Sequence, residues 1–155
     1  MSTVEVAMER IRKYAFIEAP PARIFGYLTE AAHLPEIWPS MVEVSNVQTK
    51  PDGAHSFDWV YKMAGVKFHG HSETVEVQRD RLRLVRNASG IPSTFRWSFE
   101  PRANGTDLGL EIEYEMPGQL LGRLAAPFLR RLNEREADTL VHNLKERMEA
   151  GEPER

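Results

Sequence analysis

From position 40 to position 117 the chain alternates large apolar and polar residues with a period of two; from Gln119 to Ala150 the period becomes helical. The first pattern predicts antiparallel strands joined by hairpins, because successive strand side chains point to opposite faces. The second predicts one helix of ~30 residues, about 45 Å long at 1.5 Å per residue. Ahead of both, residues 9–18 read as a strand. Ala19-Pro20-Pro21 stops that strand and opens a helix, since proline suits the first helical turn, and Ile24, Phe25 and Leu28 follow at helical spacing. Ala31 to Trp38 reads as a second short helix, ended by Pro39. The expected fold class is α+β: a curved antiparallel sheet wrapped around a long C-terminal helix, with two short helices after the first strand. One helix rarely fills such a concave space, so an unfilled apolar chamber is expected.

Three hairpins can be placed in register. Folding at Asn104-Gly105 sets Phe99 opposite Leu110, Trp97 opposite Ile112 and Phe95 opposite Tyr114, with Glu111, Glu113 and Glu115 on the other face. Folding at Arg79-Asp80 sets Val77 opposite Leu82, Val75 opposite Leu84 and Glu73 opposite Arg86. Folding at Ala64-Gly65 sets Met63 opposite Val66 and Tyr61 opposite Phe68. The last two conflict. If Phe68 faces inward, unbroken alternation sends His71, Glu73 and Val75 outward, whereas the Arg79-Asp80 hairpin wants Val75 inward. One extra residue resolves this, and a bulge is expected near Gly70, turning His71 and Glu73 toward the interior beside Trp59.

The terminal helix carries two stripes. Leu121, Ala125, Phe128 and Leu132 form the first; Ala137, Leu140, Val141, Leu144 and Met148 form the second, rotated about the axis, with Pro127 marking a kink. Glu136, Thr139 and Asn143 continue the first line and either point into the chamber or edge a rolled helix.

The 155 residues fit one domain with a real core: residues 1–150, followed by a frayed tail at 151–155. A net charge of −3 with both signs mixed offers no basic field for nucleic acid. The absence of cysteine excludes disulfides and thiolate chemistry. No apolar run approaches the ~18 residues of a membrane span, so no integral membrane segment is expected. Residues 1–10 lack a signal-peptide core, and a cytoplasmic location follows.

The order of strand, Pro-led helix pair, strand meander and long helix resembles the START-like (SRPBCC) superfamily, which includes polyketide cyclase/dehydratase-like proteins. The resemblance is carried by Ile17-Glu-Ala-Pro-Pro-Ala-Arg-Ile-Phe25, Leu34-Pro35 to Trp38-Pro39, Trp97-Ser-Phe-Glu-Pro101, Asn104-Gly-Thr106, Tyr114 to Gly118, and Leu144-Lys145. It spans nearly the whole chain and implies a helix-grip fold with a hydrophobic cavity. It implies no single activity, because such proteins include binders, lipid carriers, cyclases and chaperone-like members. No catalytic motif matches residue by residue.

The expected ligand-binding residues are Trp59, Tyr61, His71, Glu73, Arg86, Phe95, Trp97, Tyr114, Phe128 and Glu136. The aromatics, with Phe57 and Phe99, would supply an apolar wall, and plain core packing is their other use. Glu73 and Arg86 would form an interior ion pair anchoring a ligand hydroxyl, carbonyl or carboxylate. His71, Tyr61 and Glu136 are the acid–base candidates. His69-x-His71 lacks a third ligand at recognisable spacing, so neither metal nor cofactor is expected. Trp38 either sits at the chamber mouth or caps the core. The loop at 88–93 and the region around Pro117-Gly118 are the expected gates. Three functions fit: binding of a lipid-, polyketide- or aromatic-like molecule, cofactor-independent cyclisation or dehydration, or a protein-binding or chaperone-like module. A homodimer through a sheet edge or helix face is open.

Overall fold

The computed structural model describes residues 8–151. Its strands are β1 (Met8–Ile17), β2 (Met41–Thr49), β3 (His55–Met63), β4 (Val66–Gln78), β5 (Leu82–Asn87), β6 (Ser93–Arg102) and β7 (Gly105–Glu115). They form one antiparallel sheet in the order β1-β7-β6-β5-β4-β3-β2. From β2 to β7 every neighbour is a hairpin partner. The first strand instead lies beside the last, which puts β1 and β2 at opposite edges. Between them the chain passes through α1 (Pro21–Thr29), a 3-10 turn at Ala31–His33 and α2 (Leu34–Ile37). Pro21 opens α1, and Ile24, Phe25 and Leu28 are its buried face. The tail residues 152–155 lie outside the described residues.

The concave face of the sheet holds α4 (Ala126–Glu149), whose Leu129, Asn133, Ala137, Leu140, Val141, Leu144 and Met148 are buried. Lys13 on β1 reaches Glu134 (2.6 Å) and Asp138 (2.9 Å), tying the helix to that edge. No helix among the described residues is long and apolar enough to cross a membrane.

The expected single helix is two. A short α3 (Gly118–Leu121) ends at Gly122, and α4 starts afresh with Pro127 in its first turn. The break rotates the chain, so the first stripe does not run through. Leu120 and Leu129 are buried, whereas Leu121 and Phe128 are exposed.

The Ala64-Gly65 hairpin has the expected register, Met63 opposite Val66 and Tyr61 opposite Phe68, with both turn residues at positive φ (49° and 82°). The β6–β7 hairpin turns at Ala103-Asn104, two residues from the expected register. Phe99 meets Leu108, Trp97 meets Leu110 and Phe95 meets Ile112. A shift of two leaves each side chain on its expected face.

The bulge is misplaced in the expectation. Pairing between β3 and β4 runs unbroken from Ser56–Glu73 to Met63–Val66, straight through Gly70. The extra residue is Val75, between the Thr74–Val85 and Glu76–Leu84 pairs. Gly70 serves a different need: a Cβ there would stand 2.2 Å from Trp59 Cζ2, so the bare backbone makes room for the indole. Consequently His69, His71 and Glu73 all remain on the outer face.

β2 is the irregular strand. Its pairing with β3 slips between Met41 and Glu43 and again between Ser45 and Gln48, and Asn46 takes φ 52°.

Candidate functional site

Alternation along β3 turns His55, Phe57, Trp59, Tyr61 and Met63 to the inner face, where all five are buried. At ~3.3 Å per residue this row is roughly 25 Å long. Opposite it, α4 contributes Asn133, Glu136 and Ala137, and β6 and β7 contribute Phe95, Trp97, Ile112 and Tyr114. These surfaces line a cavity of about 100 Å³. That is somewhat below the ~150 Å³ apolar cavity known to admit benzene, and below the ~300–1,000 Å³ of ordinary ligand sites. The resting protein thus has an unfilled interior smaller than that cavity, and a guest of one ring or more requires the wall to yield.

A groove of about 340 Å³ adjoins it, between Pro39–Val42, the β3–β4 turn and α4. Tyr61, Met63, Asn133 and Glu136 line both spaces and form the partition between them. Besides a weak contact of Asn133 Nδ2 with Met63 Sδ at 3.7 Å, two shorter bonds hold this partition. Asn133 Nδ2 donates to the Tyr114 hydroxyl at 2.9 Å, and Glu136 Oε1 accepts the Ser40 N–H at 2.8 Å. The groove lies beside the Ala64-Gly65 turn, and neither Pro117 nor Gly118 is among the residues lining either space. Ile91 and Ser93, from the other expected gate and the start of β6, lie in the cavity wall.

The opposite end is closed and polar. Arg83, on β5, is only 1 % exposed. Its guanidinium lies 4.3 Å from the centre of the Phe25 ring, and its Nη2 donates to Gly53 O at 2.9 Å and to Thr29 Oγ1. Gly53 has φ 94°, and a Cβ on it would meet Phe25 Cε1 at 2.7 Å, so only glycine lets this loop close over the arginine. Beside it, His55 Nδ1 lies 2.8 Å from Thr29 O. Burial, and then the Arg83 charge, lower the His55 pKa to about 4. The imidazole is neutral near pH 7, so Nδ1 carries the proton and donates to Thr29, and Nε2 holds the lone pair. Burial lowers Arg83 to about 10, which leaves it charged at neutral pH.

Of the ten expected ligand-binding residues, Trp59, Tyr61, Phe95, Trp97, Tyr114 and Glu136 lie in the cavity wall. Four do not. His71 is on the outer face, its Nδ1 2.7 Å from Asp58 Oδ1 and its Nε2 3.2 Å from Glu73 Oε1. Glu73 and Arg86 are register partners across β4–β5, but both are exposed on the same outer face, because the β3–β4 pairing runs without a bulge up to Glu73. Phe128 is 52 % exposed, because α4 begins a new phase. Phe99 is core, packed edge-on to Phe25 at 5.6 Å. Trp38 is both in the core and on the wall, and its indole N–H is buried without an acceptor. Glu136 points to the cavity, whereas Asn143 turns aside to donate to Ile37 O at 3.0 Å.

Sequence reasoning missed His55, Arg83 and Asn87. A signal existed for His55, which shares the parity of Phe57, Trp59 and Tyr61. Arg83 and Asn87 share the parity of Val85, but Leu82 and Leu84 on the other parity suggested the opposite phase.

A sequence model of the family described as "Polyketide cyclase / dehydrase and lipid transport" matches residues 8–149. Comparison with curated proteins gives no match. Among solved structures, a Thermus thermophilus protein is similar over 92% of this chain and 98% of its own, at 21% identity and a TM-score of 0.78. The Zhui aromatase/cyclase of a Streptomyces species is similar over 92% of this chain and 94% of its own, at 15% identity and a TM-score of 0.74. A START superfamily protein from Mycobacterium smegmatis is similar over 91% and 97%, at 14% identity and a TM-score of 0.74. At these identities the likeness is one of fold: a curved seven-stranded antiparallel sheet gripping a long C-terminal helix.

Proposed function

Because the chain belongs to the polyketide cyclase / dehydrase and lipid transport family, we propose that it binds a hydrophobic or amphipathic small molecule between the sheet and α4. The observation that carries this reading is the aromatic-walled cavity adjoining a surface groove at Tyr61, Met63, Asn133 and Glu136. Burial of ligand apolar surface, at roughly 25 cal/mol per Å², drives binding. The groove is the access route, and movement of the four partition residues joins it to the cavity.

Binding is favoured over cyclisation by the state of the wall's titratable groups. His55 is held near 4, far below neutrality, and burial raises the phenols of Tyr61 and Tyr114. General acid–base catalysis at neutral pH works best with a group whose pKa lies near 7, and these three are driven away from it.

Native mass spectrometry of freshly purified protein should show a co-purified apolar compound. Titration with toluene or indole should raise the thermal midpoint and shift tryptophan emission, since Trp38, Trp59 and Trp97 all line the cavity. Absence of any bound compound, together with no response to either probe, overturns the reading.

A further inference from the structure

Arg83 is a buried cation without a counter-ion. No carboxylate among the described residues pairs with it, and Nη2 alone finds acceptors. Nε and Nη1 are buried and have none. The groups around it are neutral: Phe25 and Thr29 from α1, the Gly53 carbonyl, and His55 from β3, with Val77 and Trp97 as its strand partners on β4 and β5's other neighbour, β6. Buried charges are normally paired because taking a lone ion out of water costs several kcal/mol. The two acceptor bonds to Nη2 would tether the Gly53 loop equally well from a neutral amide. The Phe25 face gives the charge one favourable contact, but it leaves two donor nitrogens without an acceptor.

We propose that the closed end of the cavity is a carboxylate subsite, in which Arg83 Nε and Nη1 donate to the anionic head of a hydrophobic monocarboxylate. The ligand's apolar body then lies along Phe57 and Trp59 toward the Tyr61–Met63 partition. This rests on the cavity being the ligand site. Guanidinium–carboxylate hydrogen bonds are charge-assisted, and they are stronger still where water is excluded. A neutral His55 adds no competing positive charge, and its Nδ1–H stays committed to Thr29. The bound anion supplies the counter-charge that the fold omits. A neutral amide of the same shape offers one acceptor oxygen without charge and turns an NH2 donor toward the other nitrogen, so the pair is satisfied only in part.

The test is calorimetric titration of the full chain with benzoate and its near-isostere benzamide at pH 7.5. Benzoate should bind about tenfold more tightly or better. In R83M the preference for benzoate over benzamide should vanish. Thermal melting of R83M reports whether it folds, and if it does not, the benzoate/benzamide ratio of the natural chain decides alone. Equal affinity for both compounds overturns the carboxylate subsite and leaves the cavity reading standing. Undiminished benzoate preference in folded R83M also overturns it. Failure of both compounds to bind overturns the cavity reading and the subsite together.

Discussion

Trp59 on β3 donates its indole N–H to Asn87 Oδ1 on β5 at 3.0 Å, passing over β4 at Gly70. The same Asn87 oxygen accepts from Ser72 Oγ, and Asn87 Nδ2 donates to Ser93 Oγ at 3.0 Å. Ser93 Oγ in turn donates to Ile91 O at 2.9 Å. A short polar chain thus pins the Trp59 indole across four strands, β3 to β6. Each member has a partner, which is what buried polar groups require.

Gly70→Ala should break this arrangement. The added methyl would stand 2.2 Å from Trp59 Cζ2, so the ring must swing away from β4 and give up Asn87. Overpacking of this kind costs about 1–3 kcal/mol. Urea unfolding should show that loss, and tryptophan emission of the folded protein should shift. An unchanged midpoint and spectrum would mean that the indole does not lie over Gly70.

Glu136 should control exchange more than affinity. Its carboxylate holds the Ser40 N–H and so closes the partition on the groove side. Glu136→Ala removes that acceptor at a stability cost of about 1–2 kcal/mol, and ligand should then enter and leave several-fold faster. Glu136→Gln keeps an amide oxygen in place and should exchange nearly as the natural chain does. Stopped-flow tryptophan fluorescence reads both rates; identical rates in the alanine variant would show that access lies elsewhere.

Arg86→Leu and His71→Ala should leave ligand affinity within about twofold. Both side chains face solvent on the convex side, away from the cavity, and the exposed His71–Asp58 pair contributes little to stability. Calorimetry on either variant, with folding checked by circular dichroism, decides the matter. A large loss of affinity would place these residues at the ligand after all.

Acidification should weaken the fold through His55. Its folded pKa, about 4, lies below the ordinary 6.5, so between those values the unfolded chain binds the proton and the folded one does not. Stability is therefore full above pH 6.5 and falls as pH drops toward 4, by an amount on the order of 3 kcal/mol. Asp58 and Glu149, whose pKa values are lowered by their hydrogen-bond partners, act in the same direction at still lower pH. The difference between the natural chain and His55→Asn isolates the imidazole, because asparagine keeps a donor near Nδ1 and cannot titrate. Parallel stability curves for the two proteins between pH 7.5 and 4 would contradict this.

The aromatic rows were legible because large apolar residues at period two leave one choice of inner face; a register error of two, as at Phe99, does no harm to it. The Ala64-Gly65 turn was legible from its chemistry. β5 was not, since Leu82 and Leu84 compete with Val85 for the inside, and arginine is ordinarily a surface residue. What buries Arg83 is the carbonyl of Gly53, the hydroxyl of Thr29 and the ring of Phe25, brought from distant parts of the chain. Gly70 shows a second limit. A glycine in a strand signals either a bulge or a close approach, and only the position of Trp59 tells which. In the terminal helix, the break at Gly122 to Ala125 interrupts the phase, which is why Leu120 and Leu129 rather than Leu121 and Phe128 are inside.

The two slips along β2 have a consequence for behaviour in concentrated solution. A straight border strand presents a regular comb of amide and carbonyl groups on which another chain can template, the usual start of fibrils. Here the comb is interrupted twice within nine residues, and Asn46 turns its backbone into the left-handed region. Along this border the interruptions should disfavour polymerisation through the backbone.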